Sequence, residues 1–270
     1  MRVFILGSGK VGRGLARALR HAGWSVELRA GRDGVPPRPI AAPLLILATR
    51  DGDLPRLCED LVARRLVTPR TACVHVAGAR GPELLAPLRA VSAGVAQMHP
   101  MISFADPAFL PTLARGNLHV SGDPVAVRRA RAVARALGMT ARTIPGLDRV
   151  GYHAAAGLVA NGAAALAALG AELLVKSGVR ADEAPRLLGP LLRSVADNVE
   201  ALGFPRALTG PVRRGDAGAV EKHLALIRER VPEAVPLFIA AARAQIPLAR
   251  ALPDASKAAL DAVEAVLDRG

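Results

Sequence analysis

Short apolar runs alternate with helix-spaced apolar positions through the first half of the chain. Arg2–Gly7, Ser25–Arg29, Leu44–Ala48, Ala72–Val76, Val95–His99, Leu118–Ser121 and Thr140–Ile144 read as strands. Between them, Val11, Leu15, Ala18, Leu19 and Ala22 share one helical face, as do Leu54, Leu57, Leu61 and Val62. Further helices are expected over Glu83–Val91 and Pro124–Leu137. Such alternation predicts a parallel, doubly wound α/β sheet. Past Gly146 the strands stop, and helical stretches cover Val150–Ser177, Ala181–Leu202, Asp216–Arg230, Pro236–Gln245 and Asp254–Asp268. The boundary is placed between 147 and 148, giving an α/β domain (1–147) and an all-α domain (148–270).

Two segments depart from simple alternation. Only about a dozen residues separate the second strand from Leu44, among them Gly31, Gly34, Pro36, Pro37, Pro39 and Pro43. A βαβ connection alone takes at least about 10–12 residues. An extended Pro-rich loop is therefore expected in place of the second crossover helix. Val150–Ala171 carries no formal charge and is long enough to span a bilayer. It is mostly Ala and Gly, however, and includes Tyr152, His153 and Asn161. A place in the helical core or a homodimer interface is expected, and no membrane.

Formal charge is +13, from Arg residues scattered singly. One Trp, one Tyr and five Phe supply little for base stacking. Nucleic acid is thus not the expected partner, while an anionic small ligand is favoured. Cys58 and Cys73 have no metal-binding spacing and read as reduced cytoplasmic thiols; no metal is expected. The apolar stretch at the N-terminus is too short for a signal peptide.

Gly7-Ser8-Gly9-Lys10-Val11-Gly12 follows a strand and opens a helix. This is the context in which G-x-G-x-x-G holds a dinucleotide pyrophosphate at a helix N-terminus. At the end of the second strand, Arg29 and Arg32 suit a 2′-phosphate, which favours NADP; Asp33 keeps NAD as the alternative. Ligands of such sheets bind outside the C-terminal strand ends. That position adds Thr49 and Arg50 as cofactor contacts, and His75 and His99 as candidates for proton transfer. His153, Gly157 and Asn161 lie i, i+4, i+8 along one helix face, which makes His153 and Asn161 further catalytic candidates. Arg213 or Arg214 is a candidate grip for an anionic substrate, and Asp216 for a helix cap.

GSGKVG, HVAGARG at 75–81, MHPMISFAD at 98–106, GYHAAAGLVAN at 151–161 and ALTGPVRRGD at 207–216 together resemble a bacterial Rossmann-like family. Its C-terminal half is domain of unknown function 2520, and the resemblance covers essentially the whole chain. Broader relatives are the 6-phosphogluconate, β-hydroxyacid and ketopantoate dehydrogenases and pyrroline-5-carboxylate reductase. The resemblance implies a Rossmann domain joined to a 6-phosphogluconate dehydrogenase C-terminal-like helical domain, NAD or NADP as cofactor, and dimerisation through the helical domain. HPM at 99–101 is also similar to a stretch in prephenate dehydrogenases. If Asn161 matches the Asn of β-hydroxyacid dehydrogenases, Gly157 stands where they have a catalytic Lys, so that chemistry does not transfer. The expected function is an NADP-dependent oxidoreductase moving hydride to or from a small, possibly anionic substrate in an interdomain cleft. The alternative is a non-catalytic NADP(H)-binding sensor or regulatory protein.

Overall fold

The computed structural model describes all 270 residues, which divide into two compact units, Met1–Gly157 and Leu158–Gly270. The first is an α/β unit. Its strands are β1 (Arg2–Leu6), β2 (Ser25–Arg29), β3 (Leu44–Leu47), β4 (Ala72–His75), β5 (Val95–Met101), β6 (Asn117–Gly122) and β7 (Thr140–Arg142). They form one sheet in the order β2-β1-β3-β4-β5-β6-β7. Helices α1 (Lys10–His21), α2 (Leu54–Ala63), α3 (Ala86–Arg89) and α4 (Pro124–Ala136) accompany it. β3 and β4 are buried at every position because apolar clusters cover both faces of the sheet.

The expected α/β class is observed, with one strand pairing that differs from a wholly parallel sheet. β6 runs antiparallel to β5, with His99 opposite His119. The connection 102–116 contains no helix. An antiparallel neighbour needs no crossover, so this loop can turn straight back.

The second crossover helix is absent, as expected. Gly31–Asp33 forms one 3₁₀ turn, and the rest of the connection is irregular. The loop nonetheless performs the helix's packing task. Val35 (6% exposed) and Ile40 (3%) enter the core beside Phe4, Leu45, Leu57, Cys58 and Leu61. The Ile40 N–H donates to the Leu66 carbonyl at 2.8 Å, which pegs the loop to the segment after α2.

The second helical series comprises α5 (Arg149–Lys176), α6 (Ala184–Leu202), α7 (Ala217–Arg230), α8 (Val235–Arg250) and α9 (Lys257–Asp268). Val212, Val220, Leu224, Ala242, Ile246, Val263 and Leu267 form the core of α7, α8 and α9. Asp216 caps α7, accepting from the Ala219 N–H at 3.0 Å.

The expectation for α5 needs correction. No α5 residue is fully buried, and the helix meets the helical core only through half-buried residues such as Leu169 and Leu173, which pack on Ile227, Val231 and Ala234. Leu158 is 78% exposed and Val159 71%, and on α6 Leu187, Leu191 and Val195 are also exposed. With a mean hydropathy of 1.8 over its best window, α5 is long and apolar enough to cross a membrane by length and composition. Its first turn nevertheless enters a polar network of the sheet, where the Arg149 guanidinium donates to Gln97 Oε1 and Ser121 Oγ.

Shortening the loop peg tests its packing role. Ile40→Ala should lower the unfolding free energy by about 2–5 kcal/mol, the range for truncating a buried aliphatic side chain. Urea denaturation of the two proteins reads the difference; a loss below about 0.5 kcal/mol would mean the loop only rests on the core.

Candidate functional site

The turn from β1 into α1 brings backbone against backbone. Gly7 has φ +119°, and a Cβ on it would lie 2.3 Å from the Ala48 carbonyl oxygen. A Cβ on Gly12 would lie 1.9 Å from the Gly7 carbonyl oxygen. Gly9 differs, since a Cβ there would meet no protein atom within 4 Å and would project into free space. The α1 N-terminus has no side-chain cap and no acidic residue in its first turn. Its leading N–H groups, which lack intrahelical partners, are therefore available to an anion.

These residues line a cleft of about 1170 Å³ in the α/β unit. It follows the C-terminal strand ends from β2 to β5, four inter-strand spacings or about 19 Å. Lys10, Arg13, Arg32, Arg50 and Arg56 line it, against Asp51, Asp53 and Asp60, so cations exceed acids. Thr49 also lines it, and its buried Oγ1 has no hydrogen-bond partner. Open space at Gly9, an uncapped helix start, an unsatisfied hydroxyl and a cationic rim fit a phosphate-bearing dinucleotide.

The β5 end of the cleft is lined by Gly78, His99, Pro100, Ile102, Phe104 and His153. The loop after β5 is seated on α1: Phe104 packs where Gly14 lacks a side chain, and Arg17 donates to the Ala108 carbonyl. His99 Nδ1 lies 3.3 Å from the Val76 carbonyl oxygen. A carbonyl only accepts, so Nδ1 carries the proton and neutral His99 leaves Nε2 as a bare acceptor. That Nε2 is buried without a partner. Burial lowers the pKa of His99; the bond to Val76 opposes this shift, and nearby His153 adds to it. The His99 and His153 rings meet edge-on, with centroids 5.5 Å apart.

Residues 34–100 match the Rossmann-like domain model, and residues 117–245 match the domain of unknown function DUF2520. The chain joins a Rossmann-like domain to a DUF2520 domain. No curated protein matches its sequence. Among solved structures, a provisionally assigned NADP oxidoreductase from Bacteroides fragilis is 21% identical, with 90% of this chain and 97% of that one covered and a TM-score of 0.70. A Thermotoga maritima protein is also 21% identical, covering 92% and 98%, with a TM-score of 0.63. Pyrroline carboxylate reductase from Plasmodium falciparum, solved with NADP bound, is 11% identical over 100% of this chain and 97% of that one, with a TM-score of 0.61. At these identities the likeness establishes the fold.

In this chain the sequence candidates separate by position. Gly7, Ser8, Gly9, Lys10, Val11, Arg32, Thr49 and Arg50 line the cleft, together with His99 and His153. Gly12 lies behind the turn. Arg29 faces its own loop: Nε donates to the Gly34 carbonyl at 2.8 Å and a terminal nitrogen to Asp33 O at 2.5 Å. Arg32 has an 89% exposed side chain, 3.8 Å from the Asp33 carboxylate. His75 is fully buried and outside the cleft lining; its Nε2–H donates to the Gly81 carbonyl at 2.8 Å and holds the loop after β4. Asn161 is exposed and belongs to the second unit. Arg213 is engaged by Asp254 through contacts of 2.8 and 3.0 Å. Arg13, Arg56 and Gly78 were not singled out from sequence. Nothing in the sequence sets the two arginines apart from the many others, and only the cleft distinguishes them.

Three buried imidazoles link the protein's stability to pH. Burial is the main cause lowering the pKa of His75, His99 and His119 from 6.5. Each is harder to protonate in the folded chain than in the unfolded one. Their contribution is therefore present above the unfolded value and lost as pH falls below about 6.5. The melting temperature should hold above neutrality and fall progressively from about pH 6.5 towards pH 5. A flat profile across that window would contradict the burial of these rings as neutral bases.

Proposed function

We propose that this protein is an NADP(H)-dependent oxidoreductase acting on a small molecule, with residues 1–147 holding the cofactor. The observation carrying this reading is the continuity of one cleft. At the β2 end it offers Arg32 and the α1 N-terminus, and at the β5 end His99, whose buried Nε2 has no partner. Arg32, free of any carbonyl, is the natural partner for a 2′-phosphate, while Arg29 shapes the turn that presents it. Thr49 Oγ1 and the open face of Gly9 serve the pyrophosphate and ribose region.

The nicotinamide, when bound, supplies the hydride donor or acceptor. The chain's own contribution is proton handling. His99 is neutral near pH 7, so its Nε2 can accept the proton of a substrate O–H or N–H as that group is oxidised; protonated His99 returns it in the reverse direction. His153 borders the same space, and Ile102 and Phe104 supply an apolar wall that excludes water.

NADPH at about 100 times its dissociation constant should stabilise the fold by roughly 2.7 kcal/mol, visible as a raised melting temperature. Arg32→Ala should reduce the NADPH shift towards that given by NADH, and Gly9→Val should remove both. Equal shifts with NADPH and NADH in the wild type would refute the role of Arg32. A screen of imines, keto acids and hydroxy acids, followed by NADPH absorbance, should find turnover that His99→Asn cuts by roughly 10²–10⁴-fold with NADPH binding retained.

We also infer a homodimer. Leu158, Val159, Leu187, Leu191 and Val195 of the second unit, with Phe204 beyond α6, leave more apolar surface than a solvated face carries. A second copy would cover it by a self-complementary contact. Light scattering should give about twice the 28.0 kDa chain mass, and Leu158→Asp should shift it to monomer. A wild-type monomer at all practical concentrations, or one that partitions onto lipid vesicles instead, would end the dimer reading.

A further inference from the structure

Behind the β5 end of the cleft lies a residue that does not line it. Gln97 is 1% exposed and sits two residues before His99 on β5, on the same side of the strand. Its amide faces two loops at once. Nε2 donates to the carbonyls of Ala77 at 2.9 Å and Gly78 at 3.1 Å. Oε1 accepts from Arg149 Nε at 3.2 Å, His119 Nδ1 at 3.3 Å and Ser121 Oγ at 3.5 Å. Carbonyls only accept and a guanidinium only donates, so the amide has one permitted orientation.

The Ala77–Gly78 peptide held in this way forms the floor under both cleft imidazoles. A Cβ on Gly78 would stand 2.3 Å from His153 Nδ1 and 2.8 Å from His99 Cε1. The neighbouring Val76 carbonyl fixes the His99 tautomer. At its other end, Gln97 holds Arg149 at the start of α5, four residues before His153. One amide therefore ties the loop that supports the two rings to the helix that carries one of them.

We propose that Gln97 is the positioning residue of this site, clamping the Ala77–Gly78 peptide so that His99 and His153 stay paired on the cleft wall with His99 Nε2 bare. The proposal rests on reading those rings as the reacting end, but its structural part can be measured without turnover. Gln97→Glu separates the two ends of the clamp. A carboxylate still accepts from Arg149, His119 and Ser121, but opposes the two carbonyl oxygens where the amide donated to them. Gln97→Leu removes both ends. Ser121→Ala touches only the Oε1 end and is the control.

The test is NMR of ¹³C-labelled histidine rings, with NADPH-induced melting shifts measured on the same samples. Gln97→Glu should move the ring signals of His99 and His153 and keep the NADPH melting shift; Ser121→Ala should leave both rings in place. With a turned-over substrate, kcat should fall by up to roughly 10²-fold, as expected when a reacting group is displaced by about 1 Å, while KM for NADPH stays within about twofold. If Gln97→Leu does not fold, Gln97→Glu decides alone. Should only His119 respond in Gln97→Glu, with His99 and His153 unmoved, the clamp is wrong. Should the rings move while the wild type shows no NADPH-dependent turnover on any substrate, the clamp stands and the oxidoreductase reading fails.

Discussion

The backbone of α1 touches the backbone of the turn that precedes it. With only 1.9 Å available for a methyl group between Gly12 and the Gly7 carbonyl, helix and turn meet without side chains between them. This contact aims the uncapped N-terminus of α1, and the neighbours follow from it. The Gly7 N–H donates to the Arg29 carbonyl at 2.8 Å, which ties the end of β2 to the turn. Ala48 packs against Gly7 from the other side and sets Thr49 beside the cleft. The glycine-turn end of the cleft is therefore built from close approach rather than from long side chains reaching inward.

Much of this was legible in the sequence because periodicity and glycine spacing report backbone requirements directly. The strands, the turn at Gly7–Gly12 and the loop replacing a crossover helix all fall in that class. What was illegible depends on direction and partnership. A buried strand has the same alternation whichever way it runs, so the reversal of β6 left no mark. Arg29 and Arg32 are equivalent by composition, and only the curl of the 3₁₀ turn brings the Gly34 carbonyl to one of them. Gln97 and His119 belong to no motif; Gln97 takes its meaning from the carbonyls of a loop about twenty residues away in sequence, and His119 from its bond to Gln97. Helix α5 is apolar over most of its length, yet the single chain covers it only in part, through Leu169 and Leu173 near its C-terminal end.

Histidines at neighbouring strand ends show how local carbonyls divide one residue type into different tasks. His75 gives its donor to Gly81 and lies outside the cleft, whereas His99 gives its donor to Val76 and lines it; each keeps a buried second nitrogen without a partner. Both are kept uncharged near neutrality by burial, which suits a hydrogen-bonding strut and a proton acceptor equally. Sequence position marks both as candidates; the partner of the first nitrogen decides what the second is free to do.

The segment between β2 and β3 compresses two obligations that a longer connection would separate. Arg32 faces the ligand side, while Val35 and Ile40, a few residues on, are pegs in the core. No helix lies between them to absorb a change in length. On the proposed role of Arg32, selectivity for a phosphate and stability of the sheet are thus heritable as one unit. Drift in this loop that alters the ligand also strains the fold, and the residues free to vary narrow to the few between the turn and the first peg.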